Sequence, residues 1–214
     1  MTANGTSHSD QIFIVDDDPA VREMLRIVLA GADYEVVCFA DGPALLASMR
    51  DATPACIILD VHIPGPSGLM VLKELRANER AMPIFIISGA GDIPMAVEAI
   101  KNGALDFIQK PFRGSEVVQR VREAIAASMR KKPEAPSSGV RSLHFPGMEP
   151  LTARERDVLE QIVAGASSKE AGRALGISPR TIEIHRARIM DKLGAKNAAD
   201  LIRIVLSEGR VAVA

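Results

Sequence analysis

The chain lacks several features that define whole classes of protein. Its 214 residues include no tryptophan, one tyrosine and two cysteines, Cys38 and Cys56. No run of 18 apolar residues occurs, which predicts no transmembrane span. The first ten residues are polar, without the basic start and apolar centre of a secretory signal, and we expect a disordered tail there. Two cysteines favour a reducing cytoplasm and free buried thiols over a disulfide framework, with a redox role for Cys38 left open.

The formal net charge of −1 is unevenly distributed. Residues 1–132 carry 14 Lys and Arg against 17 Asp and Glu, whereas residues 151–214 carry 11 against 8. A mildly acidic front and a mildly basic back indicate that any polyanionic partner binds the back half. The excess alone is too small to establish nucleic-acid binding.

Apolar segments alternate with helical patterns through the first 131 residues. The expected strands are 11–15, 35–39, 55–59, 83–88 and 106–108, and the expected helices are 19–31, 41–50, 67–79, 93–102 and 113–131. Such alternation predicts an α/β domain with a parallel sheet wrapped by helices. Hydrophobic residues make up 47% of the chain, which is enough for a sizeable core.

Polar or charged side chains stand at the ends of four of these predicted strands. Asp16 and Asp17 follow the first strand and Asp60 follows the third, while Ser88 ends the fourth and Lys110 comes after the fifth. The carboxyl ends of parallel strands form the ligand-binding edge of an open sheet. We therefore expect these groups to meet at one edge, although they span almost a hundred residues.

This set of groups favours phosphoryl chemistry with a hard metal ion. Clustered carboxylates repel one another unless a cation lies among them, and Mg²⁺ suits oxygen ligands. Asp16 and Asp17 would hold the metal, and Asp60 would accept a phosphoryl group as an anionic nucleophile. Ser88 and Lys110 would hold that group. Each residue alone has an ordinary explanation, and Asp18, before Pro19, is best explained as a helix N-cap.

Residues 10–131 resemble the receiver domain of two-component response regulators. The motifs that carry the resemblance are Ile14-Val15-Asp16-Asp17-Asp18, Ile58–Gly65, Ser67-Gly68, Ile87-Ser88-Gly89 and Lys110-Pro111-Phe112. The resemblance implies a flavodoxin-like five-stranded sheet of order 2-1-3-4-5 and an Asp60 phosphoacceptor. It also implies Mg²⁺ held by Asp17, Asp60 and the backbone carbonyl of His62, with Asp16 acting mainly through water.

The resemblance further implies that Ser88 and Phe107 change conformation on phosphorylation. Phe107 lacks the hydroxyl of the tyrosine that is frequent at its position, and plain core packing is an equal alternative for it. A linker follows the receiver, and we place it at 132–147 because Pro, Ser and Gly without apolar periodicity build no core.

The back half, residues 148–210, shows four helical patterns and no strand. Thr152 and Glu155 form a capping-box pattern, and Ser167 or Ser168 can cap a second helix that turns Ala171, Ala174 and Leu175 inward. A tight turn at 176–179 leads into a third helix over 179–193, and a fourth covers 197–208. Two helices joined by a short glycine-containing turn predict a helix-turn-helix.

The third of these helices has a face suited to the major groove of DNA. Arg180, Glu183, Ile184, Ala187 and Arg188 lie opposite its apolar side, and such residues read base edges. His185 lies nearer the core. The alternative is an ordinary solvated helix face, which would carry a similar set of charged residues. The residues expected at phosphates are Lys169, Arg173, Thr181, Arg186 and Lys192.

This half resembles the LuxR-type helix-turn-helix of the NarL/FixJ family. The resemblance rests on Leu151-Thr152, Arg154-Glu155, Ser168-Lys169-Glu170, Leu175–Ser178, Arg180-Thr181-Ile182, His185-Arg186 and Lys192-Leu193. Gly172 departs from the usual alanine and is expected to destabilise its helix by about 1 kcal/mol. The whole chain is most similar to the FixJ branch.

Together the two resemblances imply a cytoplasmic transcription regulator. A sensor histidine kinase would phosphorylate Asp60, and phosphorylation would control dimerisation and binding to double-stranded DNA, with RNA polymerase as a further partner. The alternative is a DNA-binding or protein-interaction regulator that acts without phosphorylation. We expect no enzyme, because the phosphoryl chemistry of such a domain is directed at itself and no second substrate pocket is evident.

Overall fold

A computed structural model of the chain describes residues 11–78, 82–89, 93–130, 143–144, 150–208 and 210–211. The chain divides into two compact units, with the division between Ser128 and Met129. The tail expected at 1–10 and most of the linker expected at 132–147 lie outside the described residues. Within the described residues, no helix is both long and apolar enough to span a membrane.

The first unit is built on a parallel five-stranded sheet. Its strands are β1 (Gln11–Val15), β2 (Glu35–Phe39), β3 (Cys56–Asp60), β4 (Ile84–Ser88) and β5 (Asp106–Gln109). They pair in the order β2-β1-β3-β4-β5. This confirms the flavodoxin-like order. The third strand runs one residue further than expected, so Asp60 is its last residue rather than the residue after it.

Five helices connect and cover these strands. They are α1 (Pro19–Ala30), α2 (Gly42–Ser48), α3 (Gly68–Ala77), α4 (Ile93–Lys101) and α5 (Gly114–Arg130). Asp18 caps α1, since its side chain accepts a hydrogen bond from the Ala20 amide at 2.8 Å, as predicted. Helix α2 ends at Ser48, two residues early, because the chain turns after Met49.

The sheet is covered on both faces, which explains the continuous apolar runs of its central strands. Every residue of β3 and β4 is buried, whereas the edge strand β2 is only half-buried. Cys56 lies in the core and Cys38 on the edge strand, and both are free. Burial raises the pKa of both thiols, which disfavours the reactive thiolate.

The second unit contains the four expected helices. They are α6 (Ala153–Val163), α7 (Ser168–Leu175), α8 (Pro179–Lys192) and α9 (Ala198–Glu208). The structure adds a two-residue antiparallel pair that the sequence did not suggest. In it β6 (Leu143–His144), within the expected linker, pairs with β7 (Arg210–Val211). Such short strands are set by pairing between distant segments and carry no local pattern.

Hydroxyl caps begin three helices of this unit, α6, α7 and α8. Thr152 and Glu155 form the predicted capping box of α6, with N–H···O distances of 2.8 and 3.2 Å. At α7 the cap is Ser167, which forms a second capping box with Glu170. Ser178 caps α8 and accepts from an amide at 3.1 Å.

Two expectations for α7 were wrong. Ala174 is exposed rather than inward. Gly172 is not simply a weak helix residue, because a Cβ there would lie 2.6 Å from the backbone oxygen of Ile177. The turn into α8 therefore approaches α7 so closely that an alanine at this position would force the turn to shift.

Candidate functional site

Three carboxylates meet at the carboxyl edge of the sheet. Val15 and Leu59 are register partners of β1 and β3, which places Asp16 and Asp60 side by side. Both side chains are buried, whereas that of Asp17 is exposed. One oxygen from each of Asp16, Asp17 and Asp60 lies within 4.8 Å of the others. The sheet therefore brings together residues that the sequence only suggested were neighbours.

Lys110 joins the two buried carboxylates. Its Nζ donates a hydrogen bond to Oδ2 of Asp16 at 2.8 Å and another to Oδ2 of Asp60. The backbone amide of Lys110 donates to the Ser88 carbonyl at 2.7 Å, and the Lys110–Pro111 peptide is cis. Burial by itself would lower the pKa of the Lys110 ammonium, but its two carboxylate partners together raise it. Lys110 is thus held as a cation at the site.

The other oxygens of these carboxylates are fixed by the backbone. Oδ1 of Asp60 accepts from the amide of His62 at 2.9 Å, and Oδ1 of Asp16 accepts from the amide of Asp18 at 2.9 Å. Arg22 on α1 donates to the Asp16 carbonyl at 2.5 Å. Burial raises the pKa of Asp16, against the lowering effect of Lys110. The sequence did not indicate Arg22, because an arginine inside a helix is usually a surface residue.

The donor set of this site fits a hard divalent cation. Three carboxylates and one ammonium leave two formal negative charges, and all the anionic donors are oxygens, as Mg²⁺ prefers. The exposed Asp17 leaves one side of the cluster open to water. Magnesium commonly keeps several of its waters in such sites.

Ser88 and Phe107 lie on neighbouring strands beside the acidic cluster. The Ser88 side chain is fully buried, and its hydroxyl lies 3.9 Å from Sδ of Met95 on α4. Phe107 is 8% exposed. Ile86 is the register partner of Phe107, two residues before Ser88. Ser88 is therefore buried at the end of its strand and Phe107 is packed on the adjacent strand, as a conformational switch and plain core packing would each require.

Gly68 shapes the site in a way that the sequence did not single out. The first turn of α3 crosses the end of β3 so closely that a Cβ on Gly68 would lie 2.0 Å from the backbone oxygen of Asp60. The amide of Gly68 donates to the Val61 carbonyl at 2.9 Å. Only a residue without a side chain permits this approach.

A Gly68→Ala variant is therefore expected to be less stable, although alanine normally favours a helix. Relieving the clash requires the chain at Asp60 to move, and overpacking of this kind costs about 1–3 kcal/mol. Denaturant unfolding measures the loss. Gly89→Ala is the control, because a Cβ at Gly89 meets nothing within 4 Å. Equal stability of the two variants would contradict this account of Gly68.

In the second unit, α8 presents an accessible polar face. Arg180, Glu183 and Ala187 are exposed, and Ile184 and Arg186 are half-buried. Lys169 and Arg173 on α7 are also exposed. His185 is buried, as predicted. The exposed set is mixed in charge and includes small apolar groups, which suits contact with base edges as well as phosphates.

The expected phosphate contacts of Thr181 and Lys192 do not fit their placement. Thr181 is 1% exposed, and its hydroxyl lies 2.9 Å from that of the N-cap Ser178. Lys192 donates to the Pro150 carbonyl at 3.2 Å and to Oε2 of Glu155 at 3.0 Å. These two side chains serve the interior of the unit, so we remove them from the expected DNA contacts.

A buried glutamate accounts for the position of Lys192 and also engages Arg188. Glu155 is fully buried, and Arg188 lies 3.4 Å from its Oε1. Burial would raise the pKa of Glu155, but the Thr152 amide, Lys192 and Arg188 together lower it. Glu155 therefore connects the first turn of α6 to the last turns of α8. Arg188 is half-buried, and its guanidinium lies next to the carboxylate of Glu155.

Comparison with known proteins finds a matching family for each of the two units. Residues 12–122 match the response regulator receiver domain, and residues 149–205 match the bacterial regulatory proteins of the luxR family. The transcriptional regulatory protein FixJ of Bradyrhizobium diazoefficiens is 37% identical over 98% of each chain. TdiR of Thauera aromatica, also a transcriptional regulatory protein, is 35% identical over 96% of this chain and 89% of its own.

A solved full-length structure shows the same architecture. The crystal structure of FixJ from B. japonicum covers 92% of this chain and 95% of its own, with a TM-score of 0.53 and 35% sequence identity. The relatives named here are regulators, which supports the expectation that this chain is not an enzyme. The chain belongs to the response regulator family, as a FixJ-like transcription regulator with a receiver domain and a LuxR-type DNA-binding domain.

Proposed function

We propose that a sensor histidine kinase phosphorylates the protein on Asp60 and that this modification controls its binding to DNA. The single observation that carries the proposal is the buried cluster in which Lys110 bridges Asp16 and Asp60. An oxygen of Asp60 would attack the phosphorus of a phosphohistidine. The new P–O bond forms as the P–N bond breaks, and the imidazole nitrogen leaves with the electron pair.

The residues around Asp60 have separate roles in this step. Mg²⁺ would be held by Asp16, Asp17, Asp60 and the backbone carbonyl of His62, and it supplies charge neutralisation for the incoming phosphoryl oxygens. Lys110 pairs with the added negative charge. The Ser88 hydroxyl, now beside Met95, would turn to donate to a phosphoryl oxygen.

Movement of Ser88 provides a route from the site to a surface. Ser88 ends β4, and its hydroxyl is in contact with Met95 on α4. Withdrawal of that hydroxyl would alter packing at α4 and around Phe107 on β5. We propose that the surface formed by α4 and β5 then becomes the interface of a homodimer. Two copies would bring two recognition helices to half-sites about one helical turn apart on double-stranded DNA.

For DNA contact we propose the exposed side of α8 together with the start of α7. Arg180, Glu183, Ile184 and Ala187 would face base edges, and Lys169, Arg173 and Arg186 would meet phosphates. Arg188 would leave Glu155 in part to reach the DNA. We place the protein in the cytoplasm, where the chromosome and RNA polymerase are its further partners.

Beryllofluoride with Mg²⁺ is expected to convert the full-length protein from monomer to dimer, because it imitates the phosphoryl group on an aspartate. Analytical ultracentrifugation measures the mass, and fluorescence anisotropy of a labelled duplex measures DNA affinity. Asp60→Asn under the same treatment is the control and should keep the monomer mass. A wild-type protein that stays monomeric with unchanged DNA affinity would overturn phosphorylation-coupled dimerisation.

The alternative is a regulator that works without phosphorylation. It would be favoured if Asp60→Asn bound its DNA sites as tightly as the treated wild type under all conditions. The intact set of three carboxylates and a paired lysine argues against it, since a disused site has no reason to retain a buried ion pair.

A further inference from the structure

The two helices of the helix-turn-helix are linked by a polar contact on their exposed side. Oγ of Ser168, the first residue of α7, donates a hydrogen bond to Oε1 of Glu183, the fifth residue of α8. Ser168 is half-buried and Glu183 is exposed. The contact therefore lies at the surface that we propose for DNA, and not in the core.

The Ser168 hydroxyl is not needed to begin its own helix. Ser167 is the N-cap of α7, accepting from the Glu170 amide at 3.3 Å and completing a capping box. A hydroxyl at the next position contributes nothing to that cap. Its partner is the side chain of a different helix, fifteen residues away, which indicates a role in orienting that side chain.

An acidic residue on a DNA-facing surface requires an explanation, because phosphates repel it. Glu183 has one carboxylate oxygen held by Ser168, and within the described part of the chain Oε2 makes no hydrogen bond. The held carboxylate thus presents Oε2 as its unoccupied acceptor oxygen. Among bases in the major groove, cytosine offers only the N4 amino donor, whereas guanine and thymine offer acceptors and adenine places N7 beside its donor.

We propose that Ser168 and Glu183 form a unit that determines specificity for one cytosine. Glu183 accepts from the N4 amino group of the base, and Ser168 is a positioning residue that holds the carboxylate in place. The inference rests on the proposed DNA contact of α8. It adds the base that is recognised, cytosine, and the residue that positions Glu183, which is Ser168.

The test is selection of randomised duplexes by the full-length protein, treated with beryllofluoride and Mg²⁺, followed by sequencing. Glu183→Gln is expected to lower the cytosine preference at one base pair about 10-fold and to favour adenine there, because glutamine pairs with N6 and N7 of adenine. Ser168→Ala should relax the same base pair about 3-fold, in line with loss of one weak orienting contact. Ser168→Thr keeps the hydroxyl and should keep the preference.

Ser167→Ala is the matched control, since it removes the cap of α7 and not the contact to Glu183. It should lower thermal stability without changing the preferred base. If the wild type enriches a sequence but neither Glu183→Gln nor Ser168→Ala alters it at a shared position, the specificity pair is overturned and DNA binding stands. If the wild type enriches no sequence, the proposed DNA contact fails and this inference fails with it.

Discussion

An Asp60→Asn variant is expected to accept no phosphoryl group, whereas the wild type accepts one per chain. The amide that replaces the carboxylate lacks the anionic nucleophile, and it also removes the charge that holds Lys110. The measurement is incorporation of labelled phosphate from a small phosphoramidate donor in the presence of Mg²⁺, followed by intact mass. We expect the single phosphoryl adduct of the wild type to be absent.

Asp51→Asn is the matched control, because Asp51 is an exposed aspartate of the same unit away from the site. It should be labelled as fully as the wild type. Labelling of Asp60→Asn to one equivalent would place the acceptor elsewhere and remove the basis of the proposed signalling. Loss of labelling in both variants, with folding intact, would point against any role special to Asp60.

A Glu155→Ala variant is expected to destabilise the second unit by about 3 kcal/mol. The change leaves Lys192 and Arg188 without their carboxylate and breaks the capping box of α6. Glu155→Gln keeps a side chain that can serve the capping box and should lose less. Circular dichroism during denaturant unfolding reports on the helices of both units.

The fluorescence of the single tyrosine in the sequence distinguishes the unfolding of the two units in this experiment. Tyr34 lies in the first unit, so its fluorescence follows unfolding of that unit alone. The tyrosine transition should stay in place while the circular dichroism transition of the second unit moves to lower denaturant. Glu160→Ala on the same helix is the control and should move neither. A shift of the tyrosine transition with Glu155→Ala would contradict a local effect.

The same residue predicts a pH dependence of stability. The fold lowers the pKa of Glu155 below its ordinary value of 4.5, through its amide and cationic partners. Its contribution is therefore complete above about pH 4.5 and is lost as the pH falls through the lowered value. The stability difference between wild type and Glu155→Gln should accordingly shrink on acidification. A difference that stays constant from pH 7 to pH 3 would show that the charge of Glu155 contributes nothing.

Much of the fold and of the acidic site could be predicted because local patterns encode them. Alternating apolar and helical segments specified five strand–helix units, and the resemblance supplied the strand order that places Asp16 beside Asp60. Caps at Asp18 and Thr152 were evident from single residues beside helix starts. The strand–helix units and the caps depend on neighbours in sequence, so the sequence alone carries them, whereas the strand order pairs distant segments and came from the resemblance.

What the sequence alone determined about this protein is its two-domain plan, the acidic residues at the edge of the sheet and the position of the helix predicted to contact DNA. Only the tertiary structure decided which charges on that helix are available. Lys192 and Arg180 are both basic residues of α8, and the sequence predicted a DNA contact for each. The structure pairs Lys192 with Glu155 of α6, whereas Arg180 is exposed. Pairing of Ser168 with Glu183 and the closeness of Gly68 to Asp60 likewise depend on how elements pack. Contacts between distant segments leave no periodic signal, and they exist only once the helices and strands have packed.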